Sequence, residues 1–183
     1  MTDTSSDLFR GRLVRLAAPT PEDDAMFARW SQDADYLRAL DTDYARPVSP
    51  AEFAERNRAH QGPNSLEFRL RTLADDTLIG FAALHTIEWN NQAGMLAIGI
   101  GDPAYRGKGY GSDALRLLLR YAFGELNLYR VGLDVIASNE PAIRAYERVG
   151  FQREGAWRAA VLRDGRRWDR IQMGILRDEW RGE

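Results

Sequence analysis

The chain has 183 residues, 44% of them apolar and 28% charged, and a formal net charge of −2. That length suits a full hydrophobic core, and the balance excludes both a disordered chain and a general attraction to nucleic acid or anionic lipid. There is no cysteine, which excludes thiolate nucleophiles, disulfides and cysteine zinc sites, and the only histidines, His60 and His85, lack metal-ligand spacing.

Residues 1–7 lack the basic and apolar regions of a signal peptide, and no apolar run is long enough to span a bilayer, so a cytoplasmic setting is expected. Residues 11–16 read as a first strand carried by Leu13, Val14 and Leu16. Thr20-Pro21-Glu22-Asp23 then reads as a helix start, with a capping threonine, a proline suited to the first turn and acids at the positive end. Residues 36–48 are polar and aromatic without a clear period, after which Ser49-Pro50-Ala51-Glu52 forms a capping box that opens a helix to about His60. Residues 66–74, 77–89 and 93–100 read as an antiparallel meander, turning at Asp75-Asp76 and at Asn90-Asn91-Gln92.

The grammar then changes. Residues 112–126 place Leu115, Leu118, Leu119, Ala122 and Phe123 on one helical face. Residues 129–137 read as a strand, and Asn139-Glu140-Pro141 starts a helix that stops at Gly150. Two strands near 154–162 and 168–176 flank an Asp164-Gly165 hairpin turn. With no repeat and no linker, residues 1–183 are expected to form one domain. The expected fold class is α/β in the α+β sense: a mixed, mostly antiparallel central sheet with helices on both faces and one parallel crossover between residues 95 and 137.

The stretch Arg106-Gly107-Lys108-Gly109-Tyr110-Gly111-Ser112 lies between a strand and an amphipathic helix. A helix start leaves N–H groups unpaired, glycines leave them uncovered, and two cations stand beside them, so a phosphate or pyrophosphate is the expected guest. The P-loop spacing fails, because five residues separate Gly101 from Gly107-Lys108. Gly109-Tyr110-Gly111-Ser112-Asp113-Ala114 does match a dinucleotide fingerprint, but it does not follow its strand directly, and a meander precedes it.

Arg106-x-x-Gly109-x-Gly111 resembles the acyl-CoA signature of the GNAT superfamily of N-acetyltransferases. The resemblance extends over residues 102–115, over Ala137-Ser138-Asn139-Glu140-Pro141-Ala142-Ile143 with Tyr146-Glu147-Arg148-Val149-Gly150-Phe151, and over Glu154-Gly155-Ala156-Trp157-Arg158. It is closest to the subgroup of ribosomal-protein N-terminal acetyltransferases and spermidine acetyltransferases. It implies acetyl-CoA as cosubstrate, no metal, and acetyl transfer to an amine on a small molecule or a protein N-terminus. It also implies that the strand before the turn splays from the strand after the helix. Pantetheine would then pair with backbone at Ile98, Gly99 and Ile100, pyrophosphate would sit on the amides from Arg106 through Gly107, Lys108, Gly109, Tyr110 and Gly111 to Ser112, and Asn139 would help position the pantetheine, unless it only caps its helix.

Attack of a neutral amine on a thioester needs a proton taken from nitrogen and one given to sulfur. Tyr146 matches the family tyrosine that protonates the leaving sulfur; the plainer role is packing a helix on the sheet. Asp134 interrupts a strand expected to be covered on both faces, where a carboxylate is costly unless paired or used. It is either the base or one half of a structural ion pair, with Arg130 as the candidate partner. Glu88 is the alternative base and His85 a third. Tyr36, Asp41, Asp43, Tyr44, Trp89 and Trp168 could line an amine pocket or simply be solvated. Two other readings stay open: a non-catalytic acyl-CoA sensor, and a dinucleotide oxidoreductase. An exposed edge strand and the C-terminal hairpin leave room for a homodimer, with no nucleic acid or membrane partner.

Overall fold

The computed structural model describes residues 7–182. Its seven strands are β1 (Val14–Ala17), β2 (Leu66–Thr72), β3 (Leu78–Glu88), β4 (Ala93–Ile100), β5 (Arg130–Ile136), β6 (Gln152–Arg163) and β7 (Arg166–Leu176). They form one sheet in the order β1-β2-β3-β4-β5-β7-β6, antiparallel throughout except for the pair β4–β5. The helices are α1 (Asp24–Trp30), α2 (Ala34–Leu40), α3 (Pro50–His60), α4 (Tyr110–Arg120) and α5 (Glu140–Val149). A sheet with a single parallel pair is not the stack of βαβ units that a dinucleotide fold needs, so that reading of the glycine turn does not survive the topology.

Local chemistry explains most of these boundaries. Ser49 Oγ accepts the Glu52 N–H at 3.2 Å and starts α3, while the Glu52 carboxylate goes to Arg46. Gly150 ends α5 in the left-handed region at φ 115°. Asp164 (φ 50°) and Gly165 (φ 73°) are both left-handed, as a two-residue hairpin turn between twisted strands requires. Helix α2 falls partly inside the stretch that shows no period in the sequence. Asp33 caps it by accepting the Tyr36 N–H at 3.0 Å, and its seven residues are too few to display a face.

Successive residues of β3 point to opposite sides of the sheet and divide the core in two. Ala82 and Leu84 join Leu96, Leu115, Leu118, Leu119, Leu133, Ile143 and Ile175, so α4 and α5 cover that face. Phe81 turns the other way, towards Phe27, Trp30, Tyr36 and Phe53 of α1, α2 and α3. A buried carboxylate ties the chain's start to α4: Asp113 accepts the main-chain N–H groups of Arg12, Leu13 and Val14 at 3.1, 2.7 and 3.0 Å. Among the described residues, no helix is long and apolar enough to cross a membrane.

The feature that matters for function is a divergence of two strands. β4 and β5 pair only at Ala93↔Arg130, Gly94↔Val131 and Met95↔Gly132. Beyond these, β4 follows β3 as far as Gly80↔Ile100, while β5 follows β7 as far as Ile136↔Arg170. The sheet therefore opens into a V with its apex near Met95.

Candidate active site

The V is the wall of a cleft of about 620 Å³. Ile98, Gly99 and Ile100 line it from β4, and Asp134, Val135 and Ile136 from β5. The Gly101 N–H donates to the Ile79 carbonyl at 2.9 Å, which sets the ladder's alternation: odd-numbered β4 residues bond to β3, and Ile98 and Ile100 turn their main-chain groups towards the gap. Strand β4 thus offers an edge inside the molecule, where an extended amide-bearing chain can pair with it. A Cβ at Gly99 would come within 2.7 Å of Phe81 Cε1, 2.8 Å of the Tyr36 hydroxyl and 2.9 Å of Leu40 Cδ1, so only glycine lets α2 lie this close to β4.

At the end of the cleft the chain passes through the glycine turn into α4. Gly107 and Gly109 have φ of 71° and 91°, and Gly109 is the helix N-cap. The first bond of the helix is Asp113 N–H to the Gly109 carbonyl, so the N–H groups of Tyr110, Gly111 and Ser112 lie before it and point out of the helix end. Gly107, Gly109, Gly111 and Ser112 line the cleft with Arg106. Lys108 is exposed outside that lining, and the Tyr110 ring packs edge-on against Tyr105 at 5.1 Å.

The Arg106 guanidinium, one of the two cations beside the turn, is engaged within the protein. It faces inward: Nε donates to the Ile100 carbonyl (2.9 Å), Nη2 to the Gly101 carbonyl (2.6 Å) and Nη1 to Asp33 Oδ2 (3.1 Å). It also lies 4.9 Å from the centre of the Tyr36 ring. Arg106 is a clamp between the end of β4 and the start of α2, because two carbonyls and a carboxylate outbid solvent for its donors. The Tyr36 N–H and Arg106 together hold the Asp33 carboxyl below its ordinary range.

Tyr146 and Asp134 line the same cleft. Burial first, and then the negative charge of Asp134, push the Tyr146 phenol up to about 12, so it remains a proton carrier at any physiological pH. The Tyr146 ring also packs against Phe151, with centroids 5.9 Å apart. Asp134 is paired, though with Arg170 and not with Arg130: Arg170 Nε and Nη2 reach its two oxygens at 2.7 and 2.5 Å. Arg130 pairs with Glu154 instead. The reason is sheet order, since β7 lies between β5 and β6 and brings Arg170 alongside Asp134.

The structure does not bring Glu88 to this place. It is exposed at the β3–β4 hairpin, bonded to Asn91 Nδ2 at 2.5 Å and paired with Ala93, which is five residues, about 17 Å, along β4 from Ile98. His85 is half-buried beside Thr86, with Nδ1 3.0 Å from Oγ1; burial lowers its pKa, against the pull of Asp134. Asn139 caps its helix and also bonds to α2. Its Oδ1 accepts the Ala142 N–H (3.3 Å) and caps α5, and its Nδ2 donates to the Ala39 carbonyl (3.1 Å) at the far end of α2.

Helix α2 therefore spans the cleft as a beam held at both ends, and its inner side lines the cleft with Asp35, Tyr36, Ala39, Leu40 and Asp41. Beyond it, Arg163 at the tip of the β6–β7 hairpin donates to the carbonyls of Asp41 (3.0 Å) and Asp43 (2.9 Å), and Asp164 pairs with Arg38 at 2.6 Å. Of the residues expected around an amine, Tyr36 and Asp41 line the cleft. Tyr44 is 77% exposed, Trp89 is bonded to Asn64 near the opposite hairpin, and Trp168 is stacked under Arg166. Arg170 and Asp33 escape a reading of the sequence. Asp33 carries a capping signal just ahead of the stretch without a period, and Arg170 becomes visible only once β7 is known to neighbour β5.

The sequence matches the Acetyltransferase (GNAT) domain family over residues 13–152. The Bacillus subtilis protein named "Putative ribosomal N-acetyltransferase YdaF" is 30% identical over 169 residues, covering 92% of this chain and 88% of that one. The spermidine N(1)-acetyltransferase of Escherichia coli is 36% identical over 81 residues, 44% of each chain. Among solved structures, spermidine N-acetyltransferase from Vibrio cholerae in complex with CoA and spermine has a TM-score of 0.82 at 25% identity, covering 91% of this chain and 96% of that one.

Proposed function

The chain belongs to the GNAT acetyltransferase family and is an acetyl-CoA-dependent N-acetyltransferase; from that premise we propose which of its residues act and on what kind of acceptor. The observation that carries the reading is the V between β4 and β5, with the edge at Ile98 and Ile100 on one side and Tyr146 with Asp134 on the other. Ile98 and Ile100 hold the pantetheine arm, and the amides of Tyr110, Gly111 and Ser112 hold the pyrophosphate. The thioester supplies an activated acetyl group, and the remaining work is done by the protein.

Asp134, fixed by Arg170, accepts the proton of the attacking amine, and Tyr146 gives its phenolic proton to the departing sulfur. The neighbouring carboxylate favours the protonated phenol and so keeps Tyr146 ready as a donor. The acceptor is a primary amine, on a small molecule or a protein N-terminus, entering past Asp35 and Asp41, whose charges attract an ammonium ion. In this reading the whole chain works as one acyltransferase domain in the cytoplasm. The edge strand β6, with Trp157 and Leu162 more than half exposed, supports pairing of two copies.

The test is release of CoA thiol from acetyl-CoA in the presence of a panel of amines and N-terminal peptides. Tyr146→Phe is expected to lower kcat by about 10²-fold or more while CoA affinity stays within about twofold. Turnover equal to that of the unaltered protein would remove Tyr146 from the chemistry. Tight CoA binding with no turnover on any amine would favour the sensor reading.

A further inference from the structure

Four buried polar side-chain atoms lack a hydrogen-bond partner among the described residues: Tyr36 Oη and the Nε atoms of Arg69, Arg120 and Arg163. Each of those arginines bonds through its terminal nitrogens, so its polar group as a whole is satisfied. Tyr36 is different, because its hydroxyl is the only polar atom of its side chain and it stands alone. The residue is 9% exposed, and burial pushes its phenol up, so the oxygen keeps its proton. A buried O–H without a partner is costly, and natural proteins leave one unbonded mainly where something else comes to meet it.

Its surroundings indicate what that is. Tyr36 lines the cleft, and its oxygen is 2.8 Å from where a Cβ of Gly99 would stand, so it occupies the space that glycine leaves open between Ile98 and Ile100. Three contacts fix the ring: the Asp33 carboxylate on its main-chain N–H, the Arg106 guanidinium 4.9 Å from its centre, and the apolar cluster with Phe27 and Trp30. Burial raises the phenol most; the Arg106 charge favours negative charge near it, and Asp33 opposes that. The Ile100 carbonyl is already taken by Arg106, so it is not the acceptor of this hydroxyl.

We propose that the Tyr36 hydroxyl donates a hydrogen bond to the thioester carbonyl oxygen and helps hold the oxyanion that forms when the amine adds. The inference rests on the acetyl-CoA reading of the cleft and adds a residue to it. The amine nitrogen forms a bond to the carbonyl carbon, and the π pair moves onto oxygen, where Tyr36 stabilises it without giving up its proton. When that pair returns, the C–S bond breaks with its electrons on sulfur. Sulfur takes the Tyr146 proton, the nitrogen's proton goes to Asp134, and the products are an amide and the CoA thiol. A donor aimed at the developing charge is worth about 10²–10³ in rate in enzymes that use one.

The experiment is Tyr36→Phe, compared with the unaltered protein for CoA binding by calorimetry, steady-state turnover and thermal melting. The expected result is a kcat lower by about 10²-fold with CoA affinity within about twofold and a melting temperature equal or higher, because the change removes an unsatisfied buried hydroxyl. A second readout is the infrared carbonyl stretch of ¹³C-labelled acetyl-CoA bound without acceptor, which should shift to higher frequency in the variant as the C=O loses a donor. An unchanged kcat with an unchanged carbonyl stretch would overturn the proposal, as would an effect confined to KM for the amine. If the unaltered protein does not bind acetyl-CoA at all, both the proposal and the reading beneath it fall; if it binds and turns over normally and only the Tyr36→Phe comparison fails, the proposal alone falls.

Discussion

The glycine turn makes a two-sided prediction, because its glycines are there for different physical reasons. Gly109 sits at φ 91° as the N-cap of α4, and an added Cβ would meet only Leu13 Cδ1, at an ordinary 3.6 Å. Space is not the obstacle; backbone conformation is. An L residue held in the left-handed region costs about 1–2 kcal/mol, which in a chain of this size lowers Tm by about 2–8 °C. If the loop escapes the strain by turning, it re-aims the amides at the start of α4, and the same 1–2 kcal/mol appears as roughly 5–30-fold weaker CoA binding. Gly111 is already within α4, and its Cβ would face Ile100 Cγ1 at 3.8 Å. There alanine relieves the helix of a flexible residue and is expected to stabilise by about 0.5–1 kcal/mol, with CoA affinity within about threefold. Melting curves with and without CoA, and calorimetric titration of Gly109→Ala and Gly111→Ala, measure both quantities. If the two variants behave alike, or if Gly111→Ala binds CoA more weakly than Gly109→Ala, the phosphate site is not built from the N-cap geometry described here.

Asp134→Asn removes one of the two causes that raise the Tyr146 phenol; a phenol without a neighbouring anion ionises more readily, so the alkaline fall in kcat should move down from about 12 and begin below about pH 11 at saturating amine. A limb that stays in place would separate Asp134 from Tyr146. Arg163→Ala frees the carbonyls of Asp41 and Asp43 and should raise KM for the acceptor several-fold, while calorimetry shows CoA affinity unchanged, since Arg163 bonds to the segment after α2 and Asp164 still holds Arg38 of α2. Asp113→Ala leaves three N–H groups without their carboxylate, next to a Val14 that is wholly buried, and should cost about 3–5 kcal/mol in urea denaturation; a loss below about 1 kcal/mol would mean that β1 is held by other contacts.

What the sequence makes legible is whatever is encoded within a few residues. The Asp164-Gly165 turn, the Ser49 cap, the apolar face of α4 and the stop at Gly150 each depend on neighbours along the chain, and each is found where its pattern places it. The divergence of β4 and β5 is implied by the family resemblance, and the register shows it directly. What stays hidden is pairing at a distance. Asp134 finds Arg170 because β7 inserts beside β5, and a strand's place in a sheet is decided by which edges remain open once the core has closed. Sequence spacing holds little of that. Glu88 lies outside the cleft for the same kind of reason: five residues of extended chain separate its partner Ala93 from Ile98, and a strand cannot shorten that distance.

Arg106 shows how a correct motif can still mislead about a side chain. The signature fixes its position in the turn, and a cation beside a phosphate-binding loop suggests a phosphate contact. A guanidinium's donors are directional, however, and here the Ile100 and Gly101 carbonyls and the Asp33 carboxylate lie along them, within the protein and at 2.6–3.1 Å. Electrostatic attraction to an exposed pyrophosphate is weakened by water and salt, whereas bonds made in a partly buried site are weakened less. The inward arrangement therefore wins, and its consequence is structural: one residue closes the end of β4, anchors α2 and lies against the ring of Tyr36. The motif thus reaches both sides of the cleft, with the bare amides at the start of α4 on one and Arg106 against α2 on the other.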